Sequence, residues 1–319
     1  MRRAVVTGVA GFIGSHLAEA LLGAGWCVIG VDRSSPKASP VAEHNLAGLV
    51  AHPRFRLVVT DITGELPVLL DETTVVFHLA AATGVRSSWG AMFAEYATCN
   101  VLATQRLMEA CVRARVPRVV IASSSSVYGN DPSVTSREDS FAAPMSPYGV
   151  TKLATERLAC AYAAQAGSPT SVVALRYFTV YGPRQRDDMA IARMFRAVLT
   201  GEPMRLYGDG SQRRCFTYID DAVVATVAAG VCQARAEVVN VGGPDSVTVA
   251  EVLRLVETVT GRAVPLVGRG RQPGDVDATA ADLSHARRLL GYHPRLGLSD
   301  GLHRQWTWLT SLLPTSRSI

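Results

Sequence analysis

Six short runs of almost wholly apolar, β-favouring residues recur before residue 179: RAVVTG (3–8), CVIGVD (27–32), RLVVTD (56–61), VVFHLA (75–80), RVVIASSS (118–125) and SVVALRYF (171–178). Helical segments, notably 13–23, 98–115 and 147–166, lie between them. A strand without polar alternation has no face to give to water, so its sheet must be covered on both sides, and strands separated by helices run parallel. The pattern predicts a doubly wound parallel α/β fold of the Rossmann type.

After about residue 178 the rhythm gives way to irregular stretches rich in Gly, Pro and Arg: VYGPRQRDDMA, LYGDGSQRRCFTYIDD and GRGRQPGDVDATAAD. Loops of this kind carry binding residues. AEVVNVGG (236–243) reads as one more buried strand. The expected division is a dinucleotide-binding part, 1–178, completed by that returning strand, and a smaller substrate lobe lying mainly in 179–319.

Composition removes several function classes. With 48% hydrophobic and 18% charged residues the chain folds into a core and is not a disordered, solvating sequence. The net charge of +5 comes without a basic run interleaved with aromatics, so a small anionic substrate explains it better than nucleic acid. The six cysteines form no CxxC, and the seven histidines show no metal-ligand spacing, so no metal site is expected. The Arg-Arg start is followed by an apolar run broken by glycines, which reads as strand, turn and helix and not as an export leader. No apolar stretch is long enough to cross a bilayer. A cytoplasmic enzyme is the expectation.

The first strand runs into VVTGVAGFIGSHL, where Gly8, Gly11 and Gly14 make a GxxGxxG turn leading into a helix. Glycine there lets backbone N–H groups approach a pyrophosphate, whose charge the helix N-terminus favours. The second strand ends in Asp32, at the distance expected for a carboxylate holding the adenosine ribose. That carboxylate repels a 2′-phosphate and favours NAD over NADP, with Arg33 beside it pulling the other way. Asp61, followed by Ile62, either reaches the adenine edge or caps its own turn.

Tyr148 and Lys152 are four residues apart in SPYGVTKLATERL, where Ser146 is suited to the N-cap and Pro147 to the first helical position. Lys152 is one of only two lysines, with Lys37, in a chain that otherwise uses arginine. A compact ammonium beside the phenol is expected to lower its pKa and to donate to a ribose hydroxyl. Serines 123 to 126 end the fifth strand at the carboxyl edge of the sheet, where ligands of such folds sit. At least two of the four satisfy turn backbone groups.

Taken together, TGxxGxxG, HLAA (78–81), Asn100, the serine run before VYG, and YxxxK resemble the extended short-chain dehydrogenase/reductases, in the nucleotide-sugar epimerase/dehydratase branch. The resemblance spans nearly the whole chain. It implies Ser124, Tyr148 and Lys152 as catalytic residues. It also implies NAD contacts from Phe12, Ile13, Leu79, Ala80, Ala81 and Asn100, besides the glycines, Asp32, Arg33, Asp61, Ile62, Tyr148 and Lys152.

Dehydratases and decarboxylases of this branch carry an acidic residue just after the catalytic hydroxyl, where this chain has Ser125 and Ser126. Without that carboxylate, oxidation at one carbon and re-reduction remain, which is epimerisation. The segments RYFTVYGPRQRDDMA (176–190) and QPGDVDATAAD (272–282) are similar to those of UDP-glucuronate 4-epimerases, with Asp187 where a proline is frequent. An acidic sugar needs a carboxylate receptor, and Arg184 is the first choice, supported by Ser125 and Ser126, ahead of Arg86 and Arg186. The resemblance assigns Arg214 to the diphosphate, Asp275 to the uridine ribose and Thr179 to the diphosphate's neighbourhood, and it implies a homodimer. UDP-glucose 4-epimerase, UDP-glucuronate decarboxylase and a non-catalytic NAD-binding regulator stand as alternatives.

Overall fold

The computed structural model describes residues 2–64, 70–130 and 135–313. Seven strands form the main sheet: β1 (Arg3–Thr7), β2 (Cys27–Asp32), β3 (Phe55–Val59), β4 (Thr74–His78), β5 (Arg118–Ser124), β6 (Ser171–Tyr177) and β7 (Ala236–Val241). All pair in parallel, in the order β7-β6-β5-β4-β1-β2-β3. The chain therefore reverses direction across the sheet between β1 and β4, which opens a crevice at the carboxyl ends of these strands.

Alternate residues of each strand supply two separate cores. Ala4 and Val6 of β1 and Val120 of β5 pack with α1 (Phe12–Gly23) and α2 (Pro40–Val50), through Leu17, Leu21, Leu46 and Leu49. Val5, Val119 and Ile121 face the other way, against α3 (Ala103–Arg113) and α4 (Pro147–Ala164), through Leu107, Met108, Cys111, Ala159 and Ala163. Each fully buried leucine contributes about 1.5–3 kcal/mol. This two-sided burial is why the strands lack polar alternation. It establishes the expected doubly wound fold.

The helix anticipated over 98–115 is composite. A short helix, Phe93–Tyr96, runs into a π-helical turn, Ala97–Leu102, before α3 begins. Thr104 of α3 and Thr155 of α4 both donate to the Asn100 carbonyl, at 2.5 and 3.1 Å, so hydroxyls fasten the distorted turn to both helices. The third strand ends at Val59, two residues before Asp61, and the returning strand ends at Val241.

Beyond β6 the chain makes small pieces. Val180–Tyr181 pairs with Thr217–Tyr218, Met204–Tyr207 with Leu266–Arg269, and Arg213–Cys215 with Ser246–Thr248. Between them lie α5 (Ala190–Thr200) and α6 (Ile219–Val231), and α6 leads back into the main sheet through β7. The later helices are α7 (Val249–Thr260), α8 (Ser284–Leu290) and α9 (Leu298–Ser311). Among the described residues no helix is long and apolar enough to cross a membrane.

Inside the molecule Glu156 of α4 and Arg176 of β6 form a bidentate pair, 3.0 and 2.5 Å, with neither side chain exposed. Ser123 donates to the same carboxylate at 2.9 Å. A desolvated ion pair is a weak source of net stability but a strict one of register, because a shift of the helix would strand two charges in the core.

Candidate functional site

The glycine turn is built by steric necessity. Gly8 has φ +72°, and a Cβ there would lie 2.8 Å from the Ala80 nitrogen; at Gly14 it would lie 2.1 Å from the Gly8 carbonyl oxygen. Gly11 N–H donates to that carbonyl at 3.1 Å, closing the turn. Gly11 is also the N-cap of α1, with no side-chain cap and no acid in the first turn. The uncapped N–H groups and the absence of a competing carboxylate suit a diphosphate.

Asp32 is oriented by two main-chain donors, Ala10 at 3.0 Å and Ser34 at 2.9 Å. It lines the crevice with Arg33, Asp61, Ile62, Phe12 and Ile13. Asp61 accepts from Thr63 N–H at 2.8 Å, which holds its carboxyl below the usual range, so it caps its own turn and still faces the cavity. Arg33 leans toward Glu95, 3.8 Å away, with most of its side chain in solvent.

Thr7 and His78 shape the opposite wall. The Thr7 hydroxyl oxygen accepts from Leu79 and Ala80 N–H, both at 3.2 Å, so its proton goes to His78 Nδ1, 2.8 Å away. His78 Nε2 then carries the ring's proton and donates to Thr104, 3.0 Å away. A second proton on this buried ring has no acceptor. Burial, helped by the Lys152 charge, pushes the His78 pKa down to about 3. Leu79, Ala80 and Ala81, which this network positions, line the cavity. Asn100 does not. It is buried beneath the wall, accepting from Ala82 N–H at 2.8 Å and donating to the Ala82 carbonyl at 3.0 Å and to Thr151 at 3.0 Å. Through these bonds it supports the loop at Ala82, which lines the cavity.

At the other end of the crevice α4 begins as the sequence predicts. Ser146 accepts from Gly149 N–H at 3.1 Å, with Pro147 in the first helical position. Glycine at 149 is required by packing, since a Cβ would lie 2.6 Å from the Ser126 carbonyl oxygen. That close approach brings Tyr148 beside Ser124, whose hydroxyl tends to lower the phenol's pKa while donating to Ser126 Oγ at 3.1 Å. One turn on, Lys152 Nζ donates to the Ala122 carbonyl at 2.9 Å; a further turn on stands Glu156, bonded to Ser123. Three residues on one helix face thus grip three consecutive residues of β5.

Burial raises the Tyr148 pKa, and the Ser124 hydroxyl and the Arg186 charge oppose that rise. Lys152 is itself depressed to about 8 by burial and is engaged with a carbonyl. Desolvation dominates both groups, because the helix face that carries them is pressed against the sheet.

The arginines divide differently from their expected roles. Arg184, the first choice for a carboxylate, turns out of the cavity: its Nη2 donates to Glu19 at 2.8 Å and its Nη1 to Ser15 at 3.3 Å, both on α1. Its backbone is left-handed, φ 65°, which reverses the direction of the residues beside it. Arg186 faces the cavity instead, donating to Asp188 at 2.9 and 2.7 Å and also to Thr83. Arg86 bonds Asp275 at 2.8 Å and lies over the Tyr207 ring, 4.1 Å from its centroid. Arg214, half-buried, donates to the Arg213 carbonyl at 2.7 Å and lies near Asp275 and Arg86 without lining the cavity. Ser124, Ser125, Ser126, Thr179 and Asp275 all line it.

These residues enclose one crevice of about 780 Å³, from Asp32 to Asp275, with Tyr148 midway. Sequence reasoning did not include Asp188, Arg193, Tyr177 or Tyr207 in its walls. Only the acidic pair at 187 and 188, directly after Arg186, gave a local signal. A phenol, a serine hydroxyl and a buried lysine beside a diphosphate-sized cradle can move a proton on a sugar alcohol next to a dinucleotide.

The model of the NAD dependent epimerase/dehydratase family matches residues 4–242. The chain is 44% identical to a Bacillus subtilis (strain 168) protein described as the uncharacterized UDP-glucose epimerase YtcB, over 97% of this chain and 98% of that one. The UDP-glucuronic acid 4-epimerase of Bacillus cereus, solved with UDP-glucuronic acid and NAD, superposes with a TM-score of 0.91 at 40% identity, covering 98% of this chain and all of the other. MoeE5, solved with UDP-glucuronic acid and NAD, superposes at 0.89 with 45% identity over 98% and 100% of the two chains, and it has also been solved with UDP-glucose.

Proposed function

The chain belongs to the NAD dependent epimerase/dehydratase family, and we propose that its substrate is UDP-glucuronate, inverted at C4 to UDP-galacturonate. It is an NAD-dependent UDP-sugar 4-epimerase. The observation that carries the acidic sugar is Arg186, which lines the same cavity as the serines and acts electrostatically on Tyr148. A guanidinium there binds a carboxylate through two parallel hydrogen bonds.

The residues that hold the dinucleotide are the Gly8–Gly14 turn and the start of α1 at the diphosphate, Asp32 at the adenosine ribose, and Tyr148 and Lys152 toward the nicotinamide. NAD, when bound there, takes up and returns the hydride at C4. Tyr148, beside Ser124, removes the C4 hydroxyl proton on oxidation and returns it on reduction. The charge of Arg186 makes that phenol easier to ionise than burial alone would allow. Lys152, fixed by the Ala122 carbonyl, keeps a positive charge near the same site. With Ser125 and Ser126 beyond Ser124, no carboxylate adjoins the catalytic hydroxyl to drive elimination. The 4-keto uronate is a β-keto acid, and Arg186 restrains the loss of CO₂ by holding the carboxylate. Arg86, Arg214, Asp275 and Thr179 form the nucleoside-diphosphate end.

A UDP-glucose 4-epimerase is the second reading, favoured by the bidentate contact of Arg186 with Asp188, which a neutral sugar leaves intact. The division near residue 178 into dinucleotide and substrate parts belongs to this proposal, as does a cytoplasmic setting. A homodimer also belongs to it: Phe93, Leu102 and Val150 stay 42%, 41% and 49% exposed along the helical face that carries α4. Incubating the protein with UDP-glucuronate and UDP-glucose separately, without added cofactor, and identifying products by NMR tests the reading. UDP-galacturonate from the first and no comparable turnover of the second is expected. Efficient conversion of UDP-glucose alone defeats the acidic-sugar assignment.

A further inference from the structure

Arg184 and Arg186 are two residues apart, yet one grips the dinucleotide helix and the other faces the sugar cavity. The segment between Tyr181 and α5 is held at several points. Gly182 N–H donates to Gln305 at 3.0 Å. The buried Gln185 donates to the Val180 carbonyl at 3.1 Å and accepts from Ala192 N–H and from Gln305, at 3.1 and 2.9 Å. His16 of α1 meets the Pro183 carbonyl at 3.0 Å.

At the centre stands Arg184, one of two non-glycine residues with positive φ among those described. For a residue with a Cβ this conformation costs roughly 1–2 kcal/mol and persists only where surroundings impose it. Here the imposing contacts are on α1: the guanidinium, whose side chain is 17% exposed, bonds Glu19 and Ser15. The left-handed turn then sends the chain on so that Arg186 reaches Thr83, Asp188 and the cavity.

We infer that Arg184 is a positioning residue whose contact with Glu19 sets the reach of Arg186 and with it the preference for an acidic over a neutral UDP-sugar. The inference rests on the proposed recognition of the sugar carboxylate by Arg186. It ties substrate choice to the helix whose N-terminus cradles the dinucleotide. Arg184 touches neither ligand site and acts only through its neighbour.

The test is a double-mutant cycle read as the ratio of kcat/KM for UDP-glucuronate to that for UDP-glucose. Arg184→Ala is expected to lower this ratio about tenfold, chiefly through KM for the acid, as a small misplacement of a binding group does. Glu19→Gln lowers it by a few-fold, and Arg184→Lys recovers part of the loss. In an Arg186→Ala background, Arg184→Ala is expected to change the ratio less than about twofold, since residues acting through one contact are not additive. Arg184→Gly relieves the backbone, so a ratio as low as that of Arg184→Ala assigns the effect to the lost guanidinium. Equal loss toward both sugars, or an undiminished effect without Arg186, overturns the inference. A parent enzyme that shows no preference for UDP-glucuronate is a separate result, visible before any variant is made; it defeats the proposed substrate and this inference with it.

Discussion

The two ends of the crevice are made in different ways. At the dinucleotide end the shape is main chain: Gly8 and Gly14 exist because a Cβ would collide with Ala80 and with the Gly8 carbonyl, and Asp32 is aimed by two backbone N–H groups. At the sugar end the shape is side chain, with Arg86 on Asp275 and Arg186 on Asp188, while Arg184 anchors the neighbouring segment on Glu19 outside the cavity. A backbone cradle dictates residue type position by position. A ring of arginines dictates only charge, and leaves direction to the tertiary structure.

Variants can break or sharpen this contrast. The largest effect is expected where the ends meet: Tyr148→Phe lowers product formation by about 10³-fold or more, while calorimetric affinity for the UDP-sugar stays within a few-fold. Glu156→Gln leaves the buried Arg176 guanidinium without its charge partner and costs about 4 kcal/mol in denaturant unfolding. The double variant Glu156→Leu/Arg176→Met costs far less, and an equal cost for both would show that the pair's charge is not what matters. Gly14→Ala drives a methyl against the Gly8 carbonyl, costs about 3 kcal/mol, and lowers the NAD content of the purified protein.

His78 makes the dinucleotide wall sensitive to acid. Its folded pKa of about 3 lies below the ordinary 6.5, so as pH falls the unfolded chain takes the proton first. The stability present above pH 6.5 therefore declines toward pH 3, by about 2 kcal/mol at pH 5. In His78→Asn that part of the slope disappears; an unchanged slope would place the acid sensitivity elsewhere. The smallest effect on stability belongs to the sugar end. Arg186→Ala, a half-exposed side chain, is expected to leave the melting free energy within about 0.5 kcal/mol while reducing preference for the acidic sugar. A large loss of stability there would erase the distinction between the two ends.

The same distinction explains how far the sequence could be read. The sheet was legible because apolar runs without alternation admit one burial pattern. Gly8, Asp32, Ser146 and Tyr148 sit where local rules put them, since turn, strand end, cap and helix face are short-range properties. Arg184 was misassigned because a left-handed residue in an irregular loop reverses side-chain direction, and what stabilises it is Glu19, distant in sequence. Asn100 carries the right motif but lies one layer back, behind Ala82, through a π turn that spacing does not reveal. Lys152 occupies the expected place, yet the Ala122 carbonyl and desolvation govern its charge. Helix periodicity places it beside the phenol without weighing those two effects.

The order of the strands bears on how the protein is made. β7 lies against β6, but roughly sixty residues separate them in the chain. While a ribosome is still producing that stretch, β6 has an unpaired edge carrying Val172, Val173 and Leu175, ready to accept any extended segment that meets it. Closing the edge requires a long-range pairing, which is slow. A substitution in the sugar-facing segment that delays this return is therefore expected to reduce soluble yield in cells even when the finished enzyme is as stable as its parent.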